Sequence, residues 1–268
     1  MMEITKKMKI TKKMKITKNW PTPIGKIQMD VPEDLKRKLI EIIVRDVTDF
    51  FVYDKNDPDA DFLKEYEMMA NELIRYYLTN AYNITDAKSL NIEANAFGNH
   101  LIHGGRSYPH YHHCFDGVMI HYLTAGDEYV LDENFKVQEI EEKHKIHNDT
   151  SRVVRQGYYG VDGSKARLFD KVHDLNEDET MEKKFPLQGG GNLIIQDPRP
   201  AINYPTDEKT FVIRPKSGQV VIHPSYLWHE SNTFLGNGIR VAIVINYRVL
   251  TQLVQPGQKP IKSFLNVN

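Results

Sequence analysis

Residues 108–123 read YPHYHHCFDGVMIHYL, three histidines set immediately before an apolar run with the composition of a strand. On an extended chain, side chains alternate, so His110 and His112 share a face and His113 points away from them. At a rise of ~3.3 Å per residue their backbones lie about 6–7 Å apart, and two imidazoles at that spacing can converge on one ion at bonds of ~2.1 Å. Neutral imidazole suits iron, zinc, copper or nickel. Taken alone, the pair reads equally well as two ordinary surface histidines.

The second half of the pattern lies far downstream. Residues 215–232, PKSGQVVIHPSYLWHESN, read as a turn, a strand, a second turn and then His229 at the mouth of a sheet. Tyr226, Leu227 and Trp228 precede it, with bulk enough to fix a ring and exclude water. His223, inside the strand, reads as a core or surface histidine. Arg240 then opens the apolar run RVAIVINYRVL. A guanidinium there is costly to bury without a carboxylate, and none adjoins it in sequence. A carboxylate ligand held bidentately would answer that cost; an edge position open to water would too.

Working outward, residues 1–20 carry seven lysines against Glu3 in the repeat ITKKMK–ITKKMK–ITK, a charge of +6 that leaves −7 on the remainder. Like charges at that density repel, so this stretch reads as a mobile basic arm, and residues 21–268 as one domain. The acidic remainder argues against a broad phosphate-binding face, which leaves nucleic acid as a question for the arm alone. One cysteine, Cys114, excludes an internal disulfide, and no apolar run reaches the ~18 residues of a membrane span. A cytoplasmic protein is the expectation. Pro32 marks a helix start with Leu35, Leu39, Ile42, Ile43 and Val47 at helical spacing, and Phe62, Tyr66, Met69, Leu73 and Tyr77 mark a second helix. Both stripes read as core contacts against a sheet. From residue 90, short β-rich runs separated by Gly, Pro and Asn suggest a mainly β sandwich or barrel with the N-terminal helices packed on one side. Residues 126–188 are polar and weakly periodic, a long insertion. His100, His103, His144, His147 and His173 read as non-ligands.

Taken together, HGGRSYPHYHH, GNLIIQDPRP, the P-S-x-x-x-H of residues 224–229 and Arg240 with Asn246 resemble, in that order, the Fe(II)/2-oxoglutarate-dependent oxygenases, and a group of them common in phages and bacteria. The resemblance implies a double-stranded β-helix, or jelly roll. By position it implies His110 and His229 as metal ligands, with Arg240 holding the far carboxylate of 2-oxoglutarate. Tyr122 and Asn246 match the co-substrate pocket. Where the superfamily usually has Asp or Glu, this chain has His112, so iron is held by three histidines or a carboxylate arrives from elsewhere. Asp116 is the nearest candidate, ~13 Å along an extended chain, and reaches only if residues 114–115 turn sharply. Arg240–Val241–Ala242 lacks the common Arg-x-Ser hydroxyl. The implied reaction is hydroxylation with release of succinate and CO2 from 2-oxoglutarate. The substrate stays open among a protein side chain, an amino acid, a nucleobase and a small metabolite. A cupin-like metalloprotein that does not use 2-oxoglutarate is the nearest alternative, and a non-enzymatic jelly-roll virion or binding protein a further one. A phage-encoded member would work in its host's cytoplasm.

Overall fold

The computed structural model describes residues 9–10, 14–19, 22–45, 59–84, 86–126, 128–132, 136–139, 191–199, 210–236 and 238–250. Strands β1 (Lys9–Ile10), β2 (Lys15–Asn19) and β3 (Thr22–Asp30) lead into helices α1 (Glu33–Arg45) and α2 (Ala60–Tyr82). Strands β4 (Asn91–Leu101), β5 (Ser107–His110), β6 (Gly117–Ala125), β7 (Tyr129–Leu131) and β8 (Val137–Glu139) follow. The series closes with β9 (Leu193–Gln196), β10 (Thr210–Ile213), β11 (Gln219–Pro224), β12 (His229–Ser231) and β13 (Arg240–Leu250).

Leaving aside the small β7–β8 hairpin, the strands from β4 onward pair first with last. β4 lies against β13, β5 against β12, β6 against β11 and β9 against β10, all antiparallel. That is the pairing of one long hairpin rolled upon itself, the jelly roll. It yields a large sheet, β1-β3-β11-β6-β13-β4 with β2 also on β3, and a smaller one, β10-β9-β12-β5. The expected fold class stands: mainly β, with N-terminal helices and a double-stranded β-helix.

The large sheet is buried on both faces, which explains why β6, β11 and the first part of β13 read as nearly unbroken apolar runs instead of alternating ones. Val241, Ile243, Ile245 and Tyr247 pack outward against Leu39, Ile43, Tyr66, Leu73 and Tyr77 of the helices. Ala242 and Val244, with Val118, Ile120, Tyr122 and Val221, pack inward between the sheets against Leu193, Ile195 and Phe211. Each such side chain, fully buried, contributes about 1.5–3 kcal/mol. Acidic Glu33 and Asp34 suit the amino end of α1. Asn83, with φ 58°, closes α2 in the left-handed conformation that Asn tolerates. Asp59 joins the helices through Lys38 at 3.0 Å and Arg45 at 2.6 Å.

Two expectations change. Residues 9–10 and 15–19, read as part of a mobile arm, are strands paired with β3, and Met14 is buried. The Ile-Thr-Lys repeat suits an edge strand: β-branched residues favour the pleat, and lysine on an outer strand resists further pairing. The β-structure also starts ahead of the helices, since β3 adds to β11. Val47, the run at 151–160 and most of the 126–188 insertion lie outside the described residues.

On the outward face, His121 is fully buried, stacked on Tyr66 and with Nδ1 3.1 Å from the Tyr66 hydroxyl. Burial, aided by the Lys36 charge, pushes its pKa from 6.5 down to about 3. The unfolded chain then binds more protons between those values, so this contribution to stability is full above pH 6.5 and is lost as pH falls toward 3. The melting temperature of metal-free protein should therefore drop between pH 6.5 and 4, and less steeply in His121→Phe; parallel slopes would exclude His121 as a source.

Candidate metal centre

The rolled topology puts the two distant histidine stretches side by side. In the β5–β12 ladder His229 stands directly opposite His110, and their ring centroids are 4.5 Å apart. His112 lies two residues beyond the end of β5, where its N–H donates to the Ser225 carbonyl at 3.1 Å. Its ring is 5.2 Å from that of His110 and 5.1 Å from that of His229. One nitrogen of each of the three rings lies within 4.8 Å of the others, and among the described residues no other group of His, Cys, Asp or Glu is so arranged.

The backbone sets the tautomers. Nδ1–H of His229 donates to the Leu227 carbonyl at 2.9 Å and Nδ1–H of His110 to the Tyr108 carbonyl at 2.6 Å. Each bond leaves Nε2 with a bare lone pair, the arrangement a metal-binding imidazole needs. Burial, reinforced by the neighbouring His110 and His223, holds the pKa of His112 down to about 4. Burial drives that of His229 well below its usual value, with His223 next in effect. The rings of His112 and His229 are thus neutral at physiological pH. Nε2 of His112 and Nε2 of His229 are only 3.2 Å apart. Two atoms each bonded at ~2.1 Å to one ion, near a right angle, have that separation, so the donor set fits a divalent ion such as Fe(II).

A cleft runs inward from the histidines past Phe97, Ile120, Val244 and Tyr122 to Arg240. Arg240 is buried; its Nη1–H donates to the Gly191 carbonyl at 2.6 Å, and its guanidinium stands 4.9 Å over the Tyr122 ring. Nε has no hydrogen-bond partner, and Arg240 makes no ion pair among the described residues. A buried cation served by one carbonyl and one aromatic face is what a carboxylate ligand would complete. Tyr122, burial raising its pKa against the pull of Arg240, stays protonated beside it.

Other candidates fall elsewhere. Asn246 does not line this cleft. It lies on the inner face beyond Val244 and beside His112. Asp116 is not a ligand candidate here: its Oδ2 accepts the Val249 N–H at 2.7 Å. His113 turns outward against Tyr111, and Arg199 pairs with Asp197 at 2.6 Å. His100 and His103 stand apart from the cluster, while His144, His147 and His173 lie outside the described residues. His223 is the residue that sequence reasoning undervalued. Fully buried, with Nδ1–H donating to the Pro224 carbonyl at 2.9 Å, it packs edge-on to His229 at 4.9 Å. Its parity with Val221 signalled an inward side chain.

Residues 135–246 match a family model described as "Putative 2OG-Fe(II) oxygenase". The resemblance to the Fe(II)/2-oxoglutarate oxygenases holds. The match takes in His229, Arg240 and Asn246, begins inside the 126–188 stretch, spans under half of the chain and leaves His110 and His112 outside it. No curated protein sequence matches. Similar solved structures include a Pseudomonas putida prolyl-4-hydroxylase, 12% identical over 85% of this chain and 88% of that one, with a TM-score of 0.43. Another is the viral collagen prolyl hydroxylase of Paramecium Bursaria Chlorella virus-1, 13% identical over 85% and 90%, with a TM-score of 0.40. No helix among the described residues is long and apolar enough to cross a membrane.

Gly191 positions Arg240 and can be tested separately from any ligand. Its φ is +59°, and an added Cβ would stand 2.6 Å from Arg240 Nη1. Gly191→Ala should lower stability by about 1–2 kcal/mol in denaturant unfolding from the left-handed backbone alone. An unchanged midpoint would show that the loop does not hold the guanidinium as described.

Proposed function

We propose that this chain is a non-haem Fe(II)- and 2-oxoglutarate-dependent dioxygenase that hydroxylates a C–H bond of its substrate. The supporting observation is the joint arrangement: three imidazoles converge at one end of a cleft whose other end holds a buried, incompletely partnered guanidinium. His110, His112 and His229 would hold the metal at the end of the cleft. Iron with 2-oxoglutarate supplies the oxidative decarboxylation that yields succinate and CO2 and the oxidation of the substrate.

The protein's part is binding, orientation and exclusion of water. Arg240 takes the far carboxylate of 2-oxoglutarate and Tyr122 forms the adjoining wall. Phe97, Ile120 and Val244 give the carbon chain an apolar floor. The free space in the cleft is about 50 Å³, room for a few waters. Arg240 binds and orients; with its proton held through pH 7 it is no acid–base group.

Anaerobic titration of the iron-loaded protein with 2-oxoglutarate should raise a visible charge-transfer band, which a cupin-like protein would not show. His110→Ala and His229→Ala should abolish iron binding, and full occupancy in either would refute the ligand assignment. Arg240→Leu should weaken 2-oxoglutarate by about 10–100-fold, the worth of ~1.5–3 kcal/mol for a charged hydrogen bond, while sparing iron. Unchanged co-substrate affinity would refute its role. A screen of succinate release across peptides, amino acids, nucleobases and small metabolites identifies the substrate.

A further inference from the structure

The three imidazoles come from segments held in different ways. His110 and His229 are locked together by the β5–β12 ladder, whereas His112 has already left β5. What sets His112 against His229 is a set of hydrogen bonds centred on Ser225, in the turn between β11 and β12. The Ser225 carbonyl accepts the His112 N–H at 3.1 Å, and the Ser225 N–H donates to the Asp116 carbonyl at 3.2 Å. The Ser225 hydroxyl donates to the Phe115 carbonyl. One buried residue thus grips the 112–116 loop at three points, four residues before His229 in the chain.

Asp116 fastens the same loop to β13. Its N–H donates to the Tyr247 carbonyl at 2.9 Å, and its carboxylate accepts the Val249 N–H at 2.7 Å. The loop can return this far because Cys114 adopts φ 65°, a left-handed conformation that a non-glycine residue keeps only when its surroundings enforce it. Asn246, beside His112, lies on the strand to which Asp116 is tied.

We infer that Ser225 and Asp116 form a clasp that fixes the His112–His229 spacing, making them positioning residues for the metal. The inference rests on the three-histidine reading. With the clasp intact, Nε2 of His112 and Nε2 of His229 are held 3.2 Å apart, so the site is preformed. Loss of the clasp lets His112 swing away, and the metal must then reorder the loop to bind.

The test uses the full chain with Co(II) as the probe, its dissociation constant measured by competition with a chelating dye beside the melting temperature of the metal-free protein. Ser225→Ala should weaken Co(II) roughly 10–100-fold, as loss of a ligand-orienting partner does, with the metal-free melting temperature nearly unchanged. Ser225→Thr, which keeps the hydroxyl, should restore most of the affinity. Wild-type affinity in Ser225→Ala would overturn the clasp, as would an affinity loss that merely follows a fall in melting temperature. Should Ser225→Ala fail to fold, Asp116→Asn and Asp116→Ala replace it. Asn keeps the acceptor and should bind as wild type, Ala should not, and equal wild-type affinity in both would overturn the proposal. His229→Ala is the control: if it still binds Co(II) tightly, the three-histidine centre itself is wrong, and the clasp has nothing to position.

Discussion

One ladder contact organises the molecule's chemistry: His110 of β5 opposite His229 of β12. These residues lie in separate halves of the sequence, and no local interaction could pair them. The rolled hairpin does so because its second and seventh strands become neighbours once its first and last, and its third and sixth, have paired. The energy for that closure comes from elsewhere. Apolar residues of β6, β11 and β13 pack inward against the small sheet and outward against two helices, so both faces of the large sheet contribute. The small sheet, with strands of three and four residues, is held in place by that closure more than by its own ladder.

The polar residues inside the roll run against this stabilisation. Neutral His223 and His229, the guanidinium of Arg240 and the amide of Asn246 are all buried where an apolar side chain would cost less. Several of their atoms find no protein partner, including Nε2 of His223 and Nε of Arg240. Tyr122, His223, Arg240 and Asn246 carry such atoms on the inner face, while Glu72 and His121 carry others elsewhere. On the opposite face His121 at least finds Tyr66, and the buried carboxylate of Asp59 finds two cations. The inner-face group is set apart by what lies beside it, three imidazoles with one nitrogen each within 4.8 Å of the others.

What could be read from the chain alone follows from how local each signal is. The helical stripes of α1 and α2 and the long apolar runs of β6, β11 and β13 carry their own period, so they were legible. β5, β8 and β12, of three or four residues, are too short to carry one. The HxH spacing showed that two rings share a face, but not which downstream histidine would stand across from them; the family pattern supplied that. β1 and β2 were hidden by their lysines, because charge density signals repulsion while an edge strand tolerates it. Asp116 was a plausible ligand only because the left-handed turn at Cys114 leaves no mark in sequence, and that turn carries the carboxylate to β13. Asn246 shares the parity of Arg240, and parity alone could not say on which side of the metal it would fall.

Strand β13 explains that last distinction and gives the cleft its length. Arg240, Ala242, Val244 and Asn246 project inward at steps of ~6.6 Å, twice the rise per residue. Arg240 occupies the deep end and Asn246 the rung beside His112. Between them stand Ala242 and Val244, small enough to leave a channel where larger residues would fill the roll. A register shift between Val241 and Ala242 falls one step from the arginine, in the position where bulges commonly re-aim a functional side chain. The spacing along the strand between Arg240 and Asn246 is therefore fixed by backbone geometry. A co-substrate that spanned the cleft as proposed would need its anionic group and its metal-binding end at a separation matched to these rungs.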